Sequence, residues 1–561
     1  MATRPRPFVL ALGLLLGLHS AADGQAPPHA APDTAAAQLR LRVDSVFTRY
    51  NGTDRPGCAV GVSRNGTVLL ERGYGMADLE SGRPITPETV FESGSVAKQF
   101  VAATVVLLSQ EGKLSLDDRL RRHLPELPPW ADSITLRQML GHTSGLRDQW
   151  TLFEIQGRPL GLVAHRLRDV LELAKRQQRL NFAPGTQWLY SNMGYILAGL
   201  VIQRASGDSL AVASRRLLFE PLGLTHTGWR TDFRTVVPGR AQAYSPGPGG
   251  GFALDMPFSL VYGSGGMLTT VGDWLRWNDL LTADRVGRAG TARLLETPAM
   301  LPDGRSTGYG LGLAPTRATA GLGQEIGHGG ATGGYRTFLG RYPESGVSVA
   351  VLCNRGDANA QALGRGVVRA VLGAPVPAPP ATARLSPDVL RRWVGLYRDS
   401  VTGEVMLIAL RDSALYAGFG PGQRMVALDT ARFLVGGRVA DFRRDGARVL
   451  ARPDSVGPFT AVQVAAAIPT PAQLAAYVGA YTSPELGVTH SIALRRDTLR
   501  LEVPGEDAQA LVPMDADGFR SLGGGVQLTF TRDRRDQVDG FEVFAGRVLH
   551  LRFDRVAGGR R

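Results

Sequence analysis

The chain has 561 residues, 43% of them hydrophobic and 20% charged, with a formal charge of +13. That length can bury a large core shared among roughly two to four domains. The arginines are spread along the chain rather than gathered in one segment, which argues against a nucleic-acid partner. Two cysteines, and nine histidines without a His-x-x-x-His or His-Glu-x-x-His spacing, make no zinc site, and no cofactor is expected.

Residues 1–24 read as a secretory signal peptide. Arg4 and Arg6 precede an apolar run from Phe8 to Leu18, followed by the small residues Ser20, Ala21 and Ala22. The run is too short for a comfortable membrane span, and no later segment is long and apolar enough for one. No cysteine stands near its end, so the expected location is periplasmic or secreted, without a lipid anchor. Residues 25–36 are Ala/Pro-rich and read as a disordered linker. A helical pattern follows around Leu39 to Tyr50, and then two strands joined at Asn65-Gly66, a strong hairpin signal.

Ser95-Val-Ala-Lys98 opens the next helix, which continues through Val101 to Leu108. Only three of the 63 basic residues are lysines, namely Lys98, Lys113 and Lys175. A chain that otherwise writes arginine places a lysine three residues after a serine, on the same helix face. Arginine supplies charge but cannot accept a proton; a buried lysine with a lowered pKa can act as base for a hydroxyl. Ser-x-x-Lys by itself is a weak pattern, because a solvated helix face produces it as well.

Tyr190-Ser191-Asn192 follows the Pro184-Gly185 turn and precedes a helix over Met193 to Arg204. A tyrosine beside a lysine can share its proton and return it to a leaving group, while an asparagine amide can fix the lysine and grip a carbonyl. Further on, His328-Gly329-Gly330-Ala331 has the glycines that let another backbone pair with an edge strand. The N–H of Ala331, with that of Ser95, is suited to an oxyanion hole. Gly346 to Asn354 reads as a buried strand.

The Pro-rich stretch 373–385 is a stiff linker. Behind it lies an internal repeat. Trp393-Val-Gly-Leu-Tyr397 and Ile408-Ala-Leu-Arg411 recur as Tyr477-Val-Gly-Ala-Tyr481 and Ile492-Ala-Leu-Arg495, and Phe442-x-Arg-Asp445 is echoed by Phe530-x-Arg-Asp533. Short alternating strands in each copy predict two separately closed antiparallel β-barrels over residues 386–467 and 470–556.

Ser95-x-x-Lys98, Tyr190-x-Asn192 and His328-x-Gly330, in this order, resemble the serine β-lactamase and penicillin-binding-protein superfamily. The nearer resemblance is to class C β-lactamases and their peptidase and esterase relatives. Leu140 to Leu146, Glu111 to Asp118 and Gly263 to Met267 read like text of the same family, and the resemblance spans residues 37–372. It implies an α+β fold of the transpeptidase type: an antiparallel sheet flanked by helices, with an all-helical subdomain. It also implies an acyl-enzyme on Ser95, a base system of Lys98 and Tyr190, and substrate or oxyanion contacts at Asn192, His328, Gly330 and Ala331. His142 and Ser144 read as structural members of a loop.

His328 departs from the pattern, since β-lactamases and carboxypeptidases of this type carry a charged lysine there to hold a substrate carboxylate. An imidazole is mostly neutral at pH 7. The departure weakens both of those assignments, and the resemblance leans toward D-aminopeptidases, which carry His-x-Gly and two trailing β-barrels; a peptidase of DD-peptidase type is kept beside them. The partner is then a small-molecule or short peptide substrate; the oligomeric state is left open. A carboxylesterase, a weak class C-like β-lactamase and a non-catalytic penicillin- or envelope-binding protein are the alternatives. Gly304-x-Ser306-x-Gly308 has the letters of an α/β-hydrolase nucleophile but no helix after it.

The family fold pairs its first strand with the last strand of the central sheet, which brings Cys58 next to Cys353. Two packed thiols are expected there in preference to a disulfide. By analogy with the aminopeptidases, a loop of the second barrel narrows the cleft, with Pro504-Gly-Glu-Asp507 as the candidate.

Overall fold

The computed structural model describes residues 34–316, 321–400, 402–436, 438–445, 448–453, 459–523 and 525–556. The expected leader (1–24) and residues 25–33 of the expected linker lie outside them. The first helix begins at Thr34, so the linker expected to reach residue 36 ends earlier: Ala35, Ala36 and Ala37 are strong helix formers and extend the helix to Thr34–Phe47.

A six-stranded antiparallel sheet carries the catalytic half, as the resemblance implied. Its order is Ala314–Pro315, Ile326–Thr332, Tyr335–Tyr342, Val347–Cys353, Cys58–Arg64 and Thr67–Tyr74. The neighbouring strands Val347–Cys353 and Cys58–Arg64 alternate strictly. Val60, Val62, Val349 and Val351 face the helices Thr34–Phe47 and Ala360–Leu372, while Ala59, Ala350 and Leu352 face the larger core on the other side. That larger core holds the helix Ala97–Gln110, in which every residue from Ala97 to Leu108 is buried. The hairpin turn at Asn65-Gly66 has φ of 51° and 79°, the left-handed pair that Asn-Gly supplies at low cost.

Cys58 stands directly opposite Cys353, as expected from the strand pairing, but the two form a disulfide rather than packed thiols. Asn354 N donates to Gly57 O and Gly57 N to Asn354 Oδ1, so Cys58 and Cys353 occupy the adjacent non-hydrogen-bonded position where side chains approach most closely. Their Cα atoms are 4.0 Å apart.

Two closed eight-stranded barrels follow, one from Gly395–Asp399 to Phe459–Val464 and one from Gly479–Ser483 to Val548–Arg555. The repeat is structural as well as textual. Ser386 and Thr470 cap equivalent short helices, and Gly395 pairs with Ile408 as Gly479 pairs with Ile492. The Tyr397 hydroxyl donates to Trp393 O at 2.9 Å, and Tyr481 donates to Tyr477 O at 2.7 Å.

The second barrel is fused to the helical subdomain through a buried ion pair. Arg147 Nη1 lies 2.6 Å from Glu485 Oε2, with the two side chains 1% and 3% exposed. Arg147 also donates to Leu549 O and His550 O, and Gln178 N donates to Glu485. Removing one partner strands the other charge in a dry interface. Glu485→Ala is therefore expected to lower stability by about 3–5 kcal/mol, and pairing Arg147→Met with Glu485→Leu to restore much of it. Denaturant unfolding of the full chain measures both; an unchanged midpoint in Glu485→Ala would show that the pair does not hold the barrel.

Candidate active site

Ser95 sits in a short 3-10 turn, Gly94–Val96, that runs into the helix Ala97–Gln110. Three close approaches seat this turn against the sheet. Thr337 Oγ1 donates to Ser93 O at 2.7 Å. A Cβ on Gly330 would fall 2.1 Å from the same carbonyl, and a Cβ on Gly94 would fall 2.5 Å from Ala331 N. Gly330 is thus filled by the serine turn of the protein itself, and no substrate backbone is needed to explain it.

Lys98 is fully buried one helical turn on. Its Nζ lies 3.0 Å from Ser95 Oγ, 2.8 Å from Asn192 Oδ1 and 2.7 Å from Ser264 O. Burial pushes its pKa well below the ordinary lysine value; Asp148 opposes this shift and Arg547 adds to it. A neutral amine has two N–H bonds and one lone pair. Asn192 Oδ1 and Ser264 O can only accept, so the two N–H bonds go to them and the lone pair turns toward the serine hydroxyl.

Tyr190 completes the group. Lys98 Nζ stands 4.9 Å from its ring centroid, and against the effect of burial the Ser95 side chain acts to lower its pKa. Burial raises the Tyr190 pKa, so the phenol stays protonated. His142 packs its ring 4.2 Å from that of Tyr190, and its Nδ1 accepts from Ser191 N at 3.2 Å. It touches neither Ser95 nor Lys98 through a hydrogen bond, in keeping with a loop-building residue. Ser144 accepts from Leu146 N within the same loop.

The strand Ile326–Thr332 forms the opposite side of the cleft. Glu325 O accepts from Thr316 N, so the odd-numbered residues of this strand turn their backbone groups away from Tyr335–Tyr342. The short strand Ala314–Pro315 covers only Ile326 and Gly327, which leaves the Ala331 N–H facing the Ser95 turn. His328 Nδ1 donates to Gly329 O at 2.6 Å, so Nε2 accepts from the Tyr309 hydroxyl at 3.0 Å. Burial, with Lys98 nearby, holds its pKa down to about 4. The imidazole is neutral at physiological pH, more firmly than a free histidine would be.

Sequence reasoning missed four contributors. Asp148, 1% exposed, accepts from both Asn192 N at 2.7 Å and Asn192 Nδ2 at 2.8 Å, which forces Oδ1 toward Lys98. It stands two residues beyond the family-like stretch that ends at Leu146. Ser264 offers only its carbonyl, which no side-chain pattern can reveal. Tyr309 lies just after Gly304-x-Ser306-x-Gly308; Ser306 itself is exposed in an isolated bridge to Met300, with no helix following it. The fourth is Arg547, from the second barrel, whose Cζ is 4.7 Å from the Tyr190 ring centroid. The Pro504 to Asp507 loop does not reach this site. Pro504 O packs where a Cβ on Gly157 would stand, at 2.7 Å, and Glu506 lines a separate cavity of about 520 Å³ with Glu154 and His490.

The sequence profile of the family described as Beta-lactamase matches residues 43–374, more than half of the chain. The chain belongs to the beta-lactamase family. A protein named D-aminopeptidase from Brucella canis is 29% identical over 430 residues, 75% of this chain and 79% of that protein. Two solved structures share the fold. The octameric penicillin-binding protein homologue from Pyrococcus abyssi has a TM-score of 0.56 at 22% identity, covering 77% of this chain and all of that one. SurE has a TM-score of 0.54 at 24% identity, covering 77% of this chain and 98% of its own. This member of the family is a serine hydrolase by fold and by relatives. Among the described residues no single helix is long and apolar enough to cross a membrane.

Proposed function

We propose that the protein is an exported serine peptidase or amidase that cleaves amide bonds next to D-amino acids through an acyl-enzyme on Ser95. The observation that carries this reading is the buried Lys98, whose Nζ lies 3.0 Å from Ser95 Oγ and within 2.8 Å of two oxygens that can only accept, so that as a neutral amine it keeps its lone pair for the serine. Lys98 takes the serine proton as Oγ attacks the substrate carbonyl carbon. The oxygen that becomes negative lies between the Ser95 and Ala331 N–H groups. The tetrahedral adduct collapses as Tyr190 passes its proton to the departing nitrogen and is reprotonated from Lys98. Water then repeats the sequence on the ester. The D-aminopeptidase relative supports the amide and D-amino-acid part, the basic-apolar-small leader supports export, and a disulfide suits an oxidising compartment.

Substrate profiling tests it: D- and L-aminoacyl p-nitroanilides, D-alanyl-D-alanine peptides, short-chain p-nitrophenyl esters and nitrocefin. D-amides or peptides are expected to exceed their L counterparts, and nitrocefin to be turned over slowly because neutral His328 gives the lactam carboxylate no charge. His328→Lys is expected to raise nitrocefin kcat/KM by about tenfold, the effect of one modest charge contact. Hydrolysis of esters alone would replace the peptidase reading with a carboxylesterase, and lactamase-like rates in the unaltered enzyme would overturn the argument from His328.

A further inference from the structure

The hairpin between Val538–Ala545 and Val548–Arg555 carries Arg547 to the catalytic serine's neighbourhood. Its backbone, rather than its side chain, is what fastens it there. Arg547 O accepts from Asn181 Nδ2 at 3.0 Å and from Asp148 N at 3.4 Å, and Leu549 N donates to Asn181 Oδ1 at 2.8 Å. Arg147 holds two further carbonyls of the hairpin, at Leu549 and His550.

The guanidinium is free for another purpose. Its side chain is 45% exposed, and among the described residues its one ion pair, to Asp148 Oδ2, is long at 3.8 Å. That carboxylate is already occupied by the two Asn192 donors and by Trp150 N. Among the described residues, no hydrogen-bond acceptor takes an Arg547 N–H. With its Cζ 4.7 Å from the Tyr190 ring centroid and its N–H groups untaken by any described acceptor, the guanidinium has a fork of donors left to bind a carboxylate with two parallel hydrogen bonds.

We propose that Arg547 is a specificity residue that binds a carboxylate of the substrate at the catalytic centre, supplying from the second barrel the cation that His328 cannot. The inference rests on the serine-hydrolase reading and narrows its substrate class. A substrate with a free amine beside the scissile bond meets a fixed positive charge. One with a carboxylate, at its C-terminus or on its acyl part, meets a partner. The titratable groups around the guanidinium are Asp148, which is consumed by Asn192, Lys98, whose pKa burial holds well below the ordinary lysine value, and Glu154.

Binding to a Ser95→Ala protein, which cannot turn substrate over, tests this directly. Two ligand pairs differ by one carboxylate: N-acetyl-D-alanyl-D-alanine against its C-terminal amide, and N-succinyl-D-alanine amide against N-acetyl-D-alanine amide. Calorimetry is expected to show the acid of at least one pair binding about tenfold tighter than its partner, with Arg547→Gln erasing the difference and Arg547→Lys keeping part of it. The neutral ligands should bind alike with and without Arg547→Gln, as should thermal unfolding, since the hairpin is held by its backbone. Equal binding within both pairs, or a preference that survives Arg547→Gln, would overturn the proposal. Failure of the hydrolase reading shows elsewhere, as the absence of Ser95-dependent turnover in the unaltered enzyme.

Discussion

Ser95→Ala is expected to abolish both turnover and covalent labelling by fluorophosphonates, with kcat/KM falling by about 10⁴-fold or more. Intact-protein mass spectrometry reads the label, and a steady-state assay on the best substrate reads the rate. Lys98→Met should fall nearly as far, and Lys98→Arg should not rescue it, because a guanidinium restores the charge but has no lone pair to accept the serine proton. Tyr190→Phe should cost about 10²–10³-fold, within the range of one lost proton-transfer group. The losses will not add, since the three groups act as one unit. The pH profile follows from the same geometry. Lys98 works as the neutral amine, so kcat/KM rises with pH through its lowered pKa. His328, held to about 4, is already neutral there, and Tyr190, held above its ordinary value, is still protonated. Near-normal turnover in Ser95→Ala would sink the mechanism.

Asp148→Ala is the second substitution with a large expected effect, although Asp148 touches no reacting atom. It holds Asn192 by two hydrogen bonds and caps the helix Gln149–Ile155. Without it the Asn192 amide loses the contact that tells its oxygen from its nitrogen, and Lys98 loses a fixed acceptor. A loss of about 10²-fold in kcat/KM is expected, the size of effect that follows from small misplacement of a catalytic group. The accompanying sign is diagnostic. Asp148 favours protonated Lys98, so its removal lowers the Lys98 pKa further and moves the acidic limb of kcat/KM to lower pH. A merely destabilised protein would lose rate without moving the limb. Asp148→Asn, which keeps one accepting oxygen, should recover part of the rate. An unshifted limb at unchanged rate would remove Asp148 from the catalytic arrangement.

Local sequence determined much of this protein. A serine and a lysine three residues apart share a helix face whatever surrounds them, and Asn65-Gly66 imposes a left-handed turn wherever it occurs. The repeat of Trp393 and Tyr397 in Tyr477 and Tyr481 specifies two barrels, because each copy carries a full set of alternating strands. The change from lysine to histidine at residue 328 already pointed to a neutral third motif. Tertiary structure decided the rest, because it joins residues far apart in the chain. The lone-pair geometry of Lys98 depends on the Ser264 carbonyl, and a backbone oxygen leaves no mark in a side-chain pattern. The cysteines became a disulfide because the strand register sets Cys58 opposite Cys353 at a closely spaced ladder position, a pairing across 295 residues that the text around either cysteine does not contain. Which barrel loop meets the cleft was settled by the buried Arg147–Glu485 pair. That docking lays Arg547 beside Tyr190 and turns Glu506 away, an outcome that long-range packing fixes and that the text of either loop alone does not contain.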